Sequence, residues 1–327
     1  LGLDRGDRVA TLAWNDYRHL EAYYAIGGAG YVCHTINPRL FPEQIVYIIN
    51  HAEDRWVFVD LLIVPLLEQI AEQLTGVEGF VILTDDAHMP DTSLANAVSY
   101  ESLIANESDE YDWPTFDERS ASALCYTSGT TGNPKGVLFS HRSTVLHAYA
   151  AVTPDVMNLR STDCILPVVP LFHVNAWGIP YSALMVGSKL VFPGPKMGDG
   201  ETLYQLMESE AVSISLGVPT VWLALLGYAE GAGKKLNALK RTLIGGAAVP
   251  ESMIRAFRDQ HDVDVVQGWG MTEMSPLGTV STTKAGTEHL DDEGLVKLKA
   301  KAGRGIFGVE MRIVNDDGAV LPWDGVA

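Results

Sequence analysis

Two short apolar runs, residues 8–14 and 55–60, have the length and composition of buried strands, and from Tyr17 to Gly30 apolar residues recur at helical spacing. Further along, the pattern becomes a rhythm. Residues 212–216, 241–244 and 263–267 predict strands, and residues 220–228 and 250–260 predict the helices between them. Strands that alternate with helices build βαβ units, so the chain is expected to be α/β, with mostly parallel sheets flanked by helices. From 107 to 118 the chain turns polar and acidic through Glu107, Asp109, Glu110 and Asp112, the composition of a solvated seam between two subdomains. The expected layout is two βα subdomains, roughly 1–110 and 119–290, followed by a small β-rich tail over 291–327.

Glycines punctuate the predicted strands. Gly217 follows the first of the three later strands, Gly245 and Gly246 the second, and Gly268 the third. Ligands of open α/β sheets sit outside the carboxyl ends of the strands, where glycine lets the backbone approach closely. Three strands that open in glycine therefore suggest one shared cleft, although glycine also ends strands without any ligand.

Composition narrows the function. The formal charge of −18 argues against general affinity for nucleic acid or anionic lipid. Cys33, Cys125 and Cys164 form no CxxC pair and sit in apolar surroundings, as buried thiols of a reducing cytosol do. No signal peptide and no apolar run near 18 residues is present, so a cytoplasmic protein without a transmembrane segment is expected. The histidines show no HExxH spacing and no zinc constellation.

The densest chemistry lies at Tyr126-Thr127-Ser128-Gly129-Thr130-Thr131-Gly132-Asn133-Pro134-Lys135-Gly136. Glycines allow successive N–H groups to point inward as an anion nest, and the hydroxyls of Thr127, Ser128, Thr130 and Thr131 add donors. Lys135 adds one positive charge and reads as a loop anchor and phosphate contact rather than a base. The spacing is not that of a Walker A loop. Apolar residues 123–127 precede the segment and 136–139 follow it, so a strand–loop–strand is expected. A flexible Ser/Thr/Gly linker seldom lies between two buried strands. A second segment, Gln267-Gly268-Trp269-Gly270-Met271-Thr272-Glu273, combines an indole face with a carboxylate, a hard oxygen ligand suited to Mg²⁺. Alone it would read as an ordinary loop.

The S-G-T-T-G-x-P-K-G of residues 128–136 resembles the signature of the adenylate-forming enzymes, which include acyl-CoA synthetases, luciferases and the adenylation domains of peptide synthetases. The resemblance runs from about Val9 to Gly325 and is strongest toward the large N-terminal domain of medium- and long-chain fatty-acyl-CoA synthetases. It implies that Thr127, Ser128, Gly129, Thr130, Thr131, Gly132 and Lys135 surround the phosphates of ATP. It further implies that Gly246, Ala247, Gln267, Gly268, Trp269, Gly270, Met271 and Thr272 complete the nucleotide site. In that set Trp269, where many members have Tyr, stacks on adenine, and Thr272 meets the α-phosphate. Thr127 and Glu273 would hold Mg²⁺, and the catalytic set would be Thr127, His173, Thr272 and Glu273.

The acid side is expected around Pro170-Leu171-Phe172-His173-Val174-Asn175-Ala176-Trp177-Gly178. Amino-acid-activating members usually carry an aspartate there for the substrate ammonium; this chain offers His173 among apolar groups. The resemblance implies that His173 lies near the reacting carboxylate and that the Trp177 indole gates an acyl tunnel. Val174, Gly217, Gly245 and Gly246 would line the same pocket, with Val218, Pro219 and Thr220 beside it. A core histidine and a packed tryptophan are the plain alternatives. The implied reaction joins a fatty or other small aliphatic carboxylate to ATP, giving acyl-AMP and pyrophosphate, after which coenzyme A displaces AMP. An aryl- or amino-acid-activating domain and a catalytically silent nucleotide-binding module remain as alternatives. Fatty-acyl members often form homodimers. The family's ribose-binding aspartate, hinge and mobile lid domain, with its adenylation lysine, are not among these residues, so a truncated large domain is expected. Gly303-Arg304-Gly305-Ile306-Phe307-Gly308 matches GxGxxG, but it follows lysines rather than an apolar strand and is expected to be a tight turn.

Overall fold

The computed structural model describes residues 1–127 and 132–324. The first sheet contains β1 (Arg8–Leu12), β2 (Val32–Thr35), β3 (Asp54–Val59), β4 (Gly79–Ile82), β5 (Ala97–Ser99), β6 (Ala121–Thr127) and β7 (Lys135–Ser140). Their order is β5-β4-β3-β1-β2-β6-β7. Neighbours are parallel except β6 and β7, which form an antiparallel hairpin. The second sheet contains β8 (Cys164–Pro167), β9 (Lys189–Leu190), β10 (Ile214–Gly217), β11 (Arg241–Ile244), β12 (Asp264–Gly270), β13 (Leu277–Val280) and β14 (Arg304–Gly305). Its order is β14-β13-β12-β11-β10-β8-β9, antiparallel only at β12–β13 and β13–β14. Helices flank both sheets, as the strand–helix rhythm predicts.

Local chemistry sets these elements. Asp16 caps the helix Tyr17–Gly28 by accepting from the His19 N–H at 2.9 Å, and His19, Ala22, Tyr23 and Ile26 form its buried stripe. The helix Glu251–His261 buries Met253, Ile254 and Phe257 and ends where Asp262 turns left-handed at φ 59°. Strands β1, β10 and β11 are buried along almost their whole length, the signature of parallel strands covered on both faces.

The structure differs from the sequence reading in two places. The acidic stretch 107–118 is exposed over most of its length but does not divide the sheets. It leads into β6, which pairs with β2 through Cys33 and Ala123, so the passage between sheets falls between β7 and β8. Polar composition marks exposed chain; sheet membership depends on where β6 can bury its apolar residues. The stretch from 291 begins with the helix Asp292–Lys299, capped by Asp291, which accepts from the Gly294 N–H at 2.8 Å. Beyond it, Gly303 at φ 89° turns the chain into the two-residue β14, and the lysines of 297–301 lie on and just past the helix. The GxGxxG segment is the expected turn.

Two buried polar side chains bind the sheets together. The Asn15 amide donates to the Pro167 and Val169 carbonyls, each at 3.0 Å, and accepts from the Leu171 N–H at 2.7 Å. The Tyr23 hydroxyl donates to the Leu171 carbonyl. The segment that leaves β8 toward His173 is thereby anchored on the first sheet.

Candidate nucleotide and acid site

A cavity of about 220 Å³ opens at the carboxyl ends of β11 and β12. Its lining residues are His173, Val174, Trp177, Leu243, Gly245, Gly246, Gly268, Trp269, Gly270, Met271, Thr272, Pro276 and Leu277. The structure therefore brings ten of the expected residues, His173, Val174, Trp177, Gly245, Gly246, Gly268, Trp269, Gly270, Met271 and Thr272, to one concave surface. No aspartate or glutamate is among the described residues that line it.

The acid side is built on an unusual backbone. Val174, Asn175, Ala176 and Trp177 all have left-handed φ values, 47°, 51°, 46° and 57°. Each such L-residue costs roughly 1–2 kcal/mol, so the turn persists only where its surroundings over-determine it. They do. Ala176 packs in the core of the first sheet, whereas Val174 and Trp177 pack in the core of the second. The Cys125 thiol donates to Asn175 Oδ1 at 3.4 Å, and the Tyr23 hydroxyl lies 3.4 Å from the same atom. Burial pushes the Cys125 thiol up to about 11, which keeps it protonated and able to donate. His173 precedes this turn. His173 is exposed where it lines the cavity, and partial loss of water around it pulls its pKa below the ordinary imidazole range.

The Trp177 indole is buried against Gly245, where an added Cβ would stand 3.1 Å from Cη2 and 2.9 Å from the Gly268 carbonyl oxygen. Trp269 is different: it is 42% exposed, with its six-membered ring over Gly278, and so presents one free face. Gly270 lies against the Pro276 carbonyl and leaves no room for a side chain. The loop from Met271 to Pro276 closes tightly, since the Met271 N–H donates to the Pro276 carbonyl at 3.0 Å. Within it Thr272 reaches the cavity, while Glu273 lies next to it, exposed and paired with no described residue.

Other expected site residues lie elsewhere. Gln267 is buried; its side-chain Oε1 accepts from the Val249 N–H at 2.9 Å and its backbone N–H donates to Ser281 Oγ at 2.8 Å. It clamps the segment after β11 rather than lining the cavity. Gly217 is buried beneath Trp222, and Ala247 is exposed beside the cavity wall. Thr127 and Lys135 face each other in register at the base of the β6–β7 hairpin, where the Thr127 hydroxyl donates to the Lys135 carbonyl at 3.4 Å. Lys135 is exposed, and Gly132 has φ 87°. Ser128, Gly129, Thr130 and Thr131 lie outside the described residues. The Cys125–Asn175 bond places the end of β6 next to the acid-side turn.

Sequence reading passed over Asn15, His147 and Asn175 as site-forming residues. Each acts through long-range buried contacts that leave no local pattern. The His147 Nε2 accepts from the Leu277 N–H at 3.2 Å, and burial lowers this imidazole to about 4, so it is neutral and free to accept.

Comparison with known proteins identifies the family. A medium-chain-fatty-acid–CoA ligase of Ectopseudomonas oleovorans is 54% identical over 325 residues, which is 99% of this chain and 59% of the relative. A 3-methylmercaptopropionyl-CoA ligase of Ruegeria lacuscaerulensis is 53% identical over 326 residues, 100% of this chain and 60% of the relative. The chain thus spans about three-fifths of the length of these curated relatives. Among solved structures, an anthranilate CoA ligase in complex with anthranoyl-AMP shares the fold at a TM-score of 0.86 and 22% identity, over 98% of this chain and 59% of that one. The family model described as AMP-binding enzyme matches residues 1–327, and the chain belongs to that family.

Proposed function

We propose that this chain supplies the nucleotide- and acid-binding surface of an ATP-dependent acyl-CoA synthetase acting on a fatty or other small aliphatic carboxylic acid. The observation that carries the reading is the cavity wall. It pairs one neutral imidazole, His173, with a buried indole and glycine-ended strands, and its described residues include no acid to hold a substrate ammonium. That favours an uncharged acyl tail over an amino acid.

In this reading the acid carboxylate attacks the α-phosphorus of ATP; acyl-AMP forms, pyrophosphate leaves, and the thiolate of coenzyme A then displaces AMP. The chain's contribution is placement and electrostatics rather than covalent chemistry. Trp269 offers its free face to the adenine. Thr272 offers a hydroxyl to the α-phosphate. Thr127, Lys135 and the loop between them receive the remaining phosphates. His173, kept neutral by its environment, donates to the carboxylate without forming an ion pair that would blunt its nucleophilicity. The carboxylate of Glu273, exposed and paired with no described residue, fits Mg²⁺, with Thr127 as the second expected ligand. Held there, the ion would supply positive charge against the phosphates. Association as a homodimer belongs to the same reading and is read by light scattering.

The test is carboxylate-dependent exchange of pyrophosphate into ATP by the complete gene product, across straight-chain, thioether-bearing, aromatic and amino acids. Exchange with aliphatic acids is expected. Turnover confined to aromatic or amino acids would replace this reading with the aryl- or amino-acid alternative. Nucleotide binding without exchange would indicate the silent module.

A further inference from the structure

We propose that His147 is a positioning residue that holds the acid-side turn and the nucleotide-side loop of the cavity in fixed relation; this rests on the activity proposed above. His147 lies on the helix His141–Val152, outside the cavity lining. On one side its Nε2 accepts from the Leu277 N–H at 3.2 Å, and Leu277 and Pro276 both line the cavity. On the other its ring lies over Gly178, where an added Cβ would stand 2.7 Å from Nδ1. Gly178 follows Trp177, and its N–H donates to the Asn175 carbonyl at 2.9 Å, which closes the left-handed turn. One buried ring therefore touches the segment that carries the indole and the segment that ends the adenine-facing loop.

The chemistry explains why an imidazole serves here. A leucine would fill the volume but offer no acceptor, and the bond that ties Leu277 to this helix would be lost. A shift of the Met271–Pro276 loop on nucleotide binding would press through Leu277 on the imidazole, and through it on Gly178 and Trp177. Such a link is a coupling between two ligand sites, and it is reciprocal.

The experiment compares the complete gene product with its His147→Leu and His147→Gln variants, the amide oxygen of Gln being able to accept from Leu277. Pyrophosphate exchange gives KM for ATP and for a medium-chain acid. Titration with a non-hydrolysable ATP analogue gives the factor by which bound nucleotide changes acid affinity. The Leu variant should raise both KM values on the order of tenfold and shrink that coupling factor, with Gln within about threefold of the parent. Unchanged KM values and coupling in the Leu variant overturn the proposal. So does a loss of activity in both variants that follows their melting temperatures with KM unmoved. Should the Leu variant not fold, His147→Ala removes the acceptor without added bulk. If no acid supports exchange by the parent, the proposed activity fails, and amide hydrogen exchange judges His147 independently. Faster exchange at Leu277 and Gly178 in the Leu but not the Gln variant supports the link; unaltered exchange refutes it.

Discussion

Trp177 and Gly245 pack against each other in the cavity wall: a Cβ added at Gly245 would stand 3.1 Å from Cη2 of the indole. The tryptophan comes from the segment after β8 and the glycine from the end of β11, so the contact exists only because those segments converge. In the function proposed above, the ring would have to move for the cavity to deepen toward an acyl tail.

Gly245→Ala is accordingly expected to displace the indole. The added methyl also approaches the Gly268 carbonyl oxygen at 2.9 Å, so a stability loss of about 1–3 kcal/mol should accompany it. KM for the acid should rise more for long chains than for short ones, with KM for ATP little changed. Exchange assays over a chain-length series, alongside thermal melts, check both outcomes; equal effects on acid and ATP would count against an acyl role for this contact.

Glu273→Gln separates chemistry from stability. The carboxylate is exposed and pairs with no described residue, so stability should stay within about 0.5 kcal/mol of the parent's. Exchange, in contrast, should drop by about 100-fold, in line with the loss of one stabilising group at a reacting centre, and the Mg²⁺ concentration needed for half-maximal rate should increase. A variant with parental exchange and parental Mg²⁺ dependence would remove Glu273 from the site.

Asn15 tests how the sheets are joined. Replacing it with Ala leaves the Leu171 N–H and the Pro167 and Val169 carbonyls without their buried partner. A loss of about 3 kcal/mol is expected from unsatisfied buried groups. Denaturant unfolding followed by tryptophan fluorescence and by far-ultraviolet dichroism should cease to coincide as the sheets uncouple. Coincident curves with unchanged midpoint would show that the anchor lies elsewhere.

Acid should weaken the fold through two buried imidazoles. Burial lowers both His19 and His147 from an ordinary 6.5 to about 4. A histidine whose folded pKa is depressed contributes stability above its unfolded pKa, and that contribution is lost as pH falls from 6.5 toward 4. At most about 3 kcal/mol each is involved. His19 bonds the Trp14 carbonyl and Thr11 Oγ1, each at 2.9 Å, as only one neutral tautomer can. Chemical denaturation at pH 7.5, 6, 5 and 4.5 should show the decline, and His19→Gln should flatten it. An equal slope in the variant would assign the loss to other groups.

Much of this was legible in the residue order. Alternating strand and helix signals announced a parallel α/β architecture because periodicity reports burial, and each later strand appears within a few residues of its expected place. The hydroxyl- and glycine-rich segment after β6 and the Trp269–Glu273 segment suggested the phosphate and nucleotide roles proposed above because those functions need particular atoms close together in the chain. Gln267 shows the limit. It stands inside the same motif as Trp269 and Thr272, yet its amide turns inward to the Val249 N–H, a choice made by a neighbouring strand and invisible locally.

By itself, then, the sequence determined which stretches would be buried, and which segments carry the hydroxyls, glycines and apolar groups that the proposed site calls on. Only the tertiary structure decided that β6 joins the first sheet, that four consecutive residues from Val174 adopt a left-handed turn, and that Trp177 rests on Gly245. The physical reason is range. Propensity and motif chemistry act over a few residues, whereas the left-handed turn is unfavourable alone and exists only because two cores and the buried partners Cys125 and Tyr23 grip it from opposite sides.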